Sequence, residues 1–182
     1  DKKWSQVTIQ KCYEGTQLVV FYHKNKWYIS TRRCLDAQES TWVSGNSYYD
    51  MFLEAMKGVF TFDELNKHHC YHFVLIHSKN KNIVSYSWLG KDYAELLHVM
   101  TTEKYTLDEV SDEINDKVRF VEEEQNNFLS LEELQKELIR QNDLDIKYQK
   151  ITNEGYILRY YFGEVHNSPF VNMKLQTEIY EK

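Results

Sequence analysis

Continuous runs of apolar residues separated by polar ones predict β-strands in the first part of the chain. Residues 18–22 and 27–30 are rich in β-branched and aromatic side chains, and Lys24-Asn25-Lys26 separates them. Two such runs around a short polar turn are typical of a β-hairpin. We expect the second strand to continue through Arg32 and Arg33, whose side chains then point to opposite faces because the strand period is two residues.

A second pair of apolar runs predicts another hairpin in the middle of the chain. Residues 71–76 are strongly apolar, residues 79–82 are polar, and residues 83–88 are expected to form the return strand. The following segment, residues 93–100, fits a helix or a strand equally well. Periodicity does not separate these two structures in so short a run.

Helices are predicted where apolar residues at helical spacing follow a capping residue. Acids in the first turn strengthen this signal because they interact favourably with the helix N-terminus. The predicted helices are residues 48–56 after Ser47, residues 61–66, a helix starting at residues 106–109, and residues 131–140 after Ser130. The last of these has the clearest apolar face, formed by leucine and isoleucine side chains.

Strands resume near the end of the chain. Residues 156–162 and 170–175 are the last two predicted strands, and a turn containing Pro169 joins them. Residues 177–182 either begin a helix or simply end the fold. Together the elements predict one α+β domain over residues 1–182, built on antiparallel hairpins with peripheral helices and without a separate C-terminal domain in this chain.

Composition supports a folded domain and excludes several classes of protein. The chain has 182 residues, of which 42% are hydrophobic, and this content excludes global disorder. No apolar run reaches the roughly 18–20 residues of a membrane span, so no membrane partner is expected. The three cysteines are widely spaced without a CxxC motif, which favours a reduced, cytoplasmic protein. Since the sequence does not begin with Met, we expect it to be part of a longer chain or complex.

The charges are unevenly distributed along the chain. The net charge of −6 gives no overall basic surface for nucleic acid. Residues 23–33 nevertheless contain four cationic side chains and no acid, whereas residues 103–137 hold most of the acidic excess. A bound polyanion is therefore expected near the first segment and away from the second. The acidic segment 106–140 is expected to be a solvated face or a lid.

A cluster of histidines invites comparison with metal sites. His68, His69, Cys70, His72 and His77 lie close together in sequence, but their spacing fits no zinc template. Alternation along a strand also separates His69 from Cys70 and His72. We therefore predict no zinc site there. The abundant aromatic side chains can stack on bases, but core packing is the favoured explanation for them.

The charged turn Lys11-Cys12-Tyr13-Glu14-Gly15-Thr16 is the strongest candidate for chemistry. A second Glu-Gly pair, at residues 154–155, opens another predicted strand, and Lys174 lies on the last strand. Lysines and carboxylates beside glycines suit phosphoryl chemistry, because an amine can attack phosphorus, cations hold phosphate oxygens and carboxylates hold Mg²⁺. Taken alone, each residue is better explained as a surface charge, and the pattern gains weight only from its order and spacing.

The order of these stretches resembles the adenylation domain of phage-type RNA ligases. That family belongs to the covalent nucleotidyltransferase superfamily, together with DNA ligases and mRNA capping enzymes. The family has a Lys-x-Asp-Gly turn, a strand ending in a basic residue, a hairpin of the type FEFV…NRIV…Y, a Glu-Gly-aliphatic motif and a Lys-aliphatic-Lys motif. The similar stretches are residues 11–16, 30–33, 71–86 (YHFV…NKNIV…Y), 154–157 and 174–176. The resemblance implies an antiparallel-sheet, ATP-grasp-like nucleotidyltransferase domain.

The resemblance also implies roles for individual residues. Lys11 would be the nucleophile that forms a covalent lysyl-AMP, and Glu154 would hold Mg²⁺ or Mn²⁺. ATP is the expected nucleotide, with GTP the less favoured one, and RNA 5′-phosphate and 3′-OH ends are the expected partners to be joined. The residues at nucleotide-binding positions are Glu14, Gly15, Arg32, His72, Phe73, Glu154 and Lys174.

Three departures from the family pattern leave alternatives open. The family's lysine lies three positions before the glycine, where this chain has Cys12, and Lys11 lies four before. Either a β-bulge restores Lys11 to the pocket or the nucleophile is absent. His72 replaces a glutamate, and Gln176 replaces the second lysine of the last motif. The alternatives to an RNA ligase are a catalytically degenerate nucleotide- or nucleic-acid-binding subunit and a capping-type guanylyltransferase.

Overall fold

A computed structural model describes most of the chain. The described residues are 3–31, 47–80, 83–152 and 154–182, with the side chain of residue 113 excepted. The chain divides into two compact units, each made of segments that are distant in sequence. The first unit is Asp1–Glu14, Asn82–Trp88 and Val121–Lys182; the second is Gly15–Lys81 and Leu89–Phe120. The interpretation of residues 1–182 as one domain stays a prediction.

The first unit is built on a three-stranded antiparallel sheet with the strand order β1-β7-β8. Its helices and strands are β1 (Val7–Cys12), α2 (Leu131–Tyr148), β7 (Gly155–Tyr161), β8 (Phe170–Gln176) and α3 (Glu178–Glu181). One face of the sheet packs against α2, where Ile9 and Leu158 meet Leu134 and Leu138 in a buried apolar cluster. Since side chains alternate along a strand, the neighbours of these residues occupy the opposite face.

Helix α2 begins where the sequence predicts and ends later. The Ser130 hydroxyl accepts a hydrogen bond from the Glu133 backbone N–H at 3.3 Å, which satisfies one of the free donors of the first turn. The helix continues eight residues beyond the predicted end at residue 140. Gln149 then ends it in the left-handed conformation with φ 53°. No glycine or proline interrupts the segment 131–148, so its polar half continues the helix.

The second unit is a five-stranded antiparallel sheet with one helix packed on it. The strand order is β3-β2-β4-β5-β6. The elements are β2 (Thr16–His23), β3 (Lys26–Thr31), α1 (Tyr48–Met56), β4 (His69–His77), β5 (Ala94–Glu103) and β6 (Glu109–Val110). Its core contains Leu18, Val20 and Ile29 from the strands and Phe52 from α1. Burial alternates along β2, where Leu18 and Val20 face α1, whereas β4 is buried continuously from Phe73 to His77.

Several sequence predictions for this unit are confirmed. The β2–β3 hairpin forms, and its turn residues Lys24 and Asn25 have φ 47° and 64°, the backbone of a two-residue hairpin turn. Helix α1 spans the predicted residues and is capped by Ser47, whose hydroxyl accepts from the Asp50 N–H at 3.1 Å. The short helix predicted over 61–66 is a single 3₁₀ turn, Phe62–Glu64. The predicted α+β class with antiparallel sheets is correct.

The predicted return strand at residues 83–88 is wrong. In the structure β4 pairs with β2 on one side and with β5 on the other, so Ala94–Glu103 takes the place assigned to residues 83–88. The ambiguous segment 93–100 is thus a strand. Val84 and Tyr86 are buried and belong to the first unit instead. Apolar alternation identified buried positions here without identifying a strand.

The helix predicted to start at residues 106–109 is also wrong. Leu107 has φ 62°, and the Glu103 N–H donates to the Asp108 carbonyl at 2.7 Å, so this segment closes the β5–β6 hairpin. Thr106 accepts from the Asp108 N–H at 3.3 Å, which is a turn interaction rather than a helix cap. Among the residues that the structure describes, no helix has both the length and the apolar character needed to cross a membrane.

Candidate functional site

A small cleft in the first unit brings the end of β1 together with the start of β7. It has a volume of about 120 Å³. Its lining residues are Lys11, Cys12, Tyr13, Val84, Tyr86, Trp88, Thr152 and Glu154. This volume is below the roughly 300 Å³ at which pockets for small organic ligands begin. The cleft is therefore of a size to hold a phosphate group rather than a whole nucleotide.

The register of β1 decides which side chain faces this cleft. Lys11 pairs with Tyr156 and Cys12 pairs with Gly155 in a β1–β7 ladder that runs without a register shift from Val7 to Cys12. No β-bulge therefore interrupts β1, and Lys11 and Cys12 point to opposite faces of the sheet. Lys11 shares its face with Ile9, the residue that packs against α2.

The surroundings of Lys11 agree with this register. Its ammonium lies 5.7 Å from the centre of the Tyr13 ring. Its charge also acts on Glu124, whose backbone N–H donates to the Ile9 carbonyl at 2.7 Å. Burial raises the pKa of the Glu124 carboxyl, and the positive charge of Lys11 partly offsets that effect. The amine thus lies by an acidic residue at the edge of β1.

Cys12 occupies the position that faces the charged residues of β7 and β8. Its side chain is buried and hydrogen bonds to both Glu154 and Lys174. Burial raises the pKa of the Cys12 thiol to about 12, and the negative charge of Glu154 adds to the effect while Lys174 opposes it. The thiol is therefore protonated at neutral pH and is a poor nucleophile.

Glu154 and Lys174 form an ion pair beside Cys12. The Glu154 side chain is only 3% exposed and the Lys174 side chain 45%. The Gln176 amide also donates to Glu154 Oε1 at 3.2 Å. Burial works against the charge of Lys174, but the hydrogen bond to Glu154 and the nearby negative charge outweigh it and raise the Lys174 pKa. Lys174 is thus held in its charged form.

Gly155 explains why Glu154 is followed by glycine. It has φ 144°, and a Cβ at this position would lie 1.9 Å from the Leu175 carbonyl oxygen. Only glycine permits this close approach of β7 to β8. The approach places the Glu154 carboxylate next to Lys174, which projects from the same face of β8 as Gln176.

Glu14 holds the segment that carries Tyr86, one of the residues lining the cleft. Its carboxylate Oε1 accepts a hydrogen bond from the Ile83 N–H at 2.5 Å, and its backbone carbonyl accepts one from the Tyr86 hydroxyl at 2.6 Å. Tyr180 of α3 also interacts with this carboxylate. Burial and the charges of Glu14 and Glu154 raise the pKa of both Tyr86 and Tyr180. Both hydroxyls therefore remain protonated hydrogen-bond donors.

The remaining predicted site residues lie in the second unit or outside the described residues. A Cβ on Gly15 would lie 2.6 Å from the Leu75 carbonyl oxygen, so the glycine allows β2 to pack closely on β4. His72 hydrogen bonds through Nε2 to Thr102 Oγ1 at 3.0 Å. Phe73 is 1% exposed and stacks among core phenylalanines. Arg32 lies outside the residues that the structure describes.

The structure thus brings together Glu14, Glu154 and Lys174 of the predicted set. Sequence reasoning gave no site role to Tyr86 or Tyr180, which border the same carboxylates. Tyr86 ends the stretch 71–86 that resembles the family hairpin, and that signal could have identified it, whereas little in the sequence distinguishes Tyr180 from a core aromatic residue. The role of each site residue in binding or catalysis stays a prediction.

The described residues do not form a resident metal site. No three His, Cys, Asp or Glu side chains among them converge on one point. Glu154 is neutralised by Lys174 and also bonded to Gln176. Mg²⁺ commonly binds with one or two carboxylates and the phosphates of a nucleotide. The predicted ion at Glu154 stays a prediction.

Comparison with solved structures identifies the fold. The structure is similar over 96% of the chain to a putative ATP-dependent DNA ligase from Aquifex aeolicus, with TM-score 0.59 and 16% identity. It is equally similar to an archaeal ATP-dependent RNA ligase in two forms, with TM-scores of 0.60 and 0.59 and identities of 12% and 10%. This chain spans 43–44% of the length of those proteins. The chain therefore has the mixed α+β, antiparallel-sheet fold of a ligase nucleotidyltransferase domain.

Sequence comparison adds one viral relative. A stretch of 78 residues is 35% identical to an immediate-early protein ICP-46 homolog from Invertebrate iridescent virus 3. The match covers 40% of this chain and 17% of the viral protein. No family model matches the sequence.

Proposed function

We propose that this chain is a nucleotide-binding domain on the ligase fold that does not form a covalent adenylate at Lys11. The observation that supports the proposal is the unbroken β1–β7 register, which turns Lys11 away from the face that carries Glu154 and Lys174. Cys12 takes the position facing them, and its protonated thiol cannot replace an amine nucleophile.

ATP is the nucleotide we propose, since the solved structures of similar fold are described as ATP-dependent ligases. The half-exposed Lys174 ammonium, which pairs with Glu154 of the cleft, is the cation that would hold a phosphate oxygen there. Any Mg²⁺ or Mn²⁺ would then arrive with the nucleotide phosphates. RNA ends are the nucleic-acid partner we propose.

The second candidate is an active ATP-dependent RNA ligase that uses Lys11. It is favoured by one observation: Lys11 also borders the cleft that Glu154 lines. In that case the Lys11 amine attacks the α-phosphorus, the bond from that phosphorus to the β-phosphate bridging oxygen breaks, and pyrophosphate leaves. A capping-type guanylyltransferase would perform the same transfer from GTP.

One experiment separates these functions. The protein is incubated with α-labelled ATP or GTP and Mg²⁺ or Mn²⁺, denatured and resolved on a gel, while equilibrium dialysis measures ATP binding. The proposal predicts binding without covalent label. Label with ATP that disappears in Lys11→Ala supports the ligase, label with GTP supports the guanylyltransferase, and no binding of either nucleotide refutes all three.

Two variants sharpen the result. Lys174→Ala is expected to weaken ATP binding by at least about tenfold, because a hydrogen bond to a charged group contributes about 1.5–3 kcal/mol. Cys12→Lys places a primary amine on the face that carries Glu154 and Lys174. Label on Cys12→Lys but not on the natural protein would show that the missing amine alone prevents the transfer.

A further inference from the structure

The β2–β3 hairpin of the second unit carries an aromatic and basic surface that the cleft does not explain. Phe21 and Tyr28 are directly opposite each other on the two strands, with ring centres 5.6 Å apart and planes 11° apart. His23 and Lys26 form the next pair toward the turn, and Lys24 lies in the turn itself. We call these five residues the hairpin patch.

Core packing does not account for the hairpin patch. Tyr22 and Trp27 alternate with its members and therefore lie on the face that carries α1, where Trp27 stacks on Phe62. In the described part of the chain, the apolar cluster around α1 includes Trp27 but neither Phe21 nor Tyr28. These two rings are half-buried, and His23, Lys24 and Lys26 are exposed.

The charge of the hairpin differs in sign from that of the whole chain. Residues 16–31 contain two lysines and a histidine and no acid, in a chain of net charge −6. The Lys26 ammonium lies 4.8 Å from the centre of the Tyr28 ring, so a cation and an aromatic face are presented together. Such a combination attracts an anion that also has flat apolar groups.

The hairpin patch continues toward a predicted nucleotide-binding residue. Val19 pairs with Ser30 on one side and with His72 on the other, so His72 lies on the same sheet face as Phe21 and Tyr28. The patch also occupies β3, the edge strand of the sheet. A chain of nucleotides lying along this face would meet His72 and the hairpin in succession.

We propose that the hairpin patch binds single-stranded nucleic acid, with Tyr28 and Phe21 stacking on bases and Lys24 and Lys26 contacting phosphates. Aromatic side chains beside lysines are the usual means of holding a single strand without sequence preference. The inference deepens the proposed function, because it assigns a surface to the nucleic-acid partner of the ligase fold.

Fluorescence anisotropy with a labelled oligouridylate tests the assignment. Tyr28→Ala is expected to weaken binding by at least about fivefold, the lower limit for losing one stacked base. Tyr28→Phe keeps the ring and should bind within about twofold of the natural protein. Replacing Lys24 and Lys26 together by Ala should reduce the slope of log K against log salt by about 1.4, since each phosphate contact on a single strand contributes about 0.7.

Lys136→Ala is the matched control, because Lys136 is an exposed lysine on α2 that pairs with Glu132. Its binding and salt slope should not change. Unchanged binding in Tyr28→Ala and in the double lysine variant would overturn the proposal, as would equal losses in Lys136→Ala. ATP binding measured on Tyr28→Ala should be unaffected, which separates failure of this surface from failure of nucleotide binding. Circular dichroism checks that each variant is folded.

Discussion

The buried thiol of Cys12 should react far more slowly than an ordinary cysteine, and this expectation tests the structure of the cleft directly. The perturbation is alkylation by iodoacetamide at pH 8, applied to the natural protein and to Glu154→Gln. The thiolate is the reactive form, so the rate follows the fraction of Cys12 that is ionised. Burial and the Glu154 charge raise its pKa from an ordinary value of 9.0 to about 12.

The magnitude follows from that difference. At pH 8 the ionised fraction falls from about 0.1 to about 0.0001, a loss of about 1000-fold. A more basic thiolate is intrinsically more nucleophilic. With a Brønsted coefficient of about 0.4–0.5 over three pKa units, its rate constant rises about 16- to 30-fold, which offsets part of the loss. The net expectation is alkylation about 30- to 60-fold slower than that of the same cysteine in the unfolded chain. Restricted access to the buried sulfur slows it further.

Mass spectrometry of quenched, digested samples gives the rate for each cysteine separately. The rate for native Cys12 should rise about tenfold per pH unit between pH 7 and 10, because the ionised fraction increases until the pH reaches the pKa. The urea-unfolded protein should level off near pH 9. Glu154→Gln removes a charge that raises the pKa, so Cys12 should react faster in this variant. Native alkylation within threefold of the unfolded rate would refute the description of the cleft.

Two further predictions concern stability, measured by urea denaturation. Lys174→Met should lower the free energy of unfolding by about 1–3 kcal/mol. This is less than the roughly 3–5 kcal/mol expected for a fully buried pair, because the Lys174 side chain is 45% exposed. The double variant Lys174→Met/Glu154→Gln should recover part of the loss, and additive losses would contradict the ion pair. Gly155→Ala should lower the free energy of unfolding by more than about 3 kcal/mol or prevent folding, because its Cβ would meet a carbonyl oxygen at 1.9 Å. Gly58→Ala is the matched control, since Gly58 has φ 78° but open space around it, and it should cost only about 1 kcal/mol. Equal losses in the two glycine variants would contradict the close approach of β7 and β8.

Local patterns were sufficient for the elements whose residues interact mainly with near neighbours. The β2–β3 hairpin and helix α1 are of this kind, since a turn and a cap determine where they begin and end. The pairing of β4 with β5 does not depend on near neighbours, because residues 78–93 separate the two strands in sequence. Residues 83–88 have the composition of a strand, yet their alternation serves burial in the first unit. Pairing between distant segments cannot be read from the composition of either segment.

The candidate site shows the same limit more sharply. The charged residues Glu14, Glu154 and Lys174 could be selected from motif order. The facing of Lys11 could not, because it depends on the ladder that β1 forms with β7, more than 140 residues later in sequence. A bulge anywhere in that ladder would have reversed the assignment.

Charge balance around Cys12 gives a physical reason why the cleft tolerates the absence of a lysine there. Glu154 is almost fully buried and needs one compensating cation, which Lys174 supplies. A second amine at position 12 would add one positive charge beside Glu154, a state better suited to an incoming phosphate. With a neutral thiol instead, Lys174 is the cation paired with Glu154 and must also serve a phosphate bound beside that carboxylate. Phosphate binding should therefore be weaker than in a site with two lysines, and it should strengthen in Cys12→Lys even where no covalent label forms.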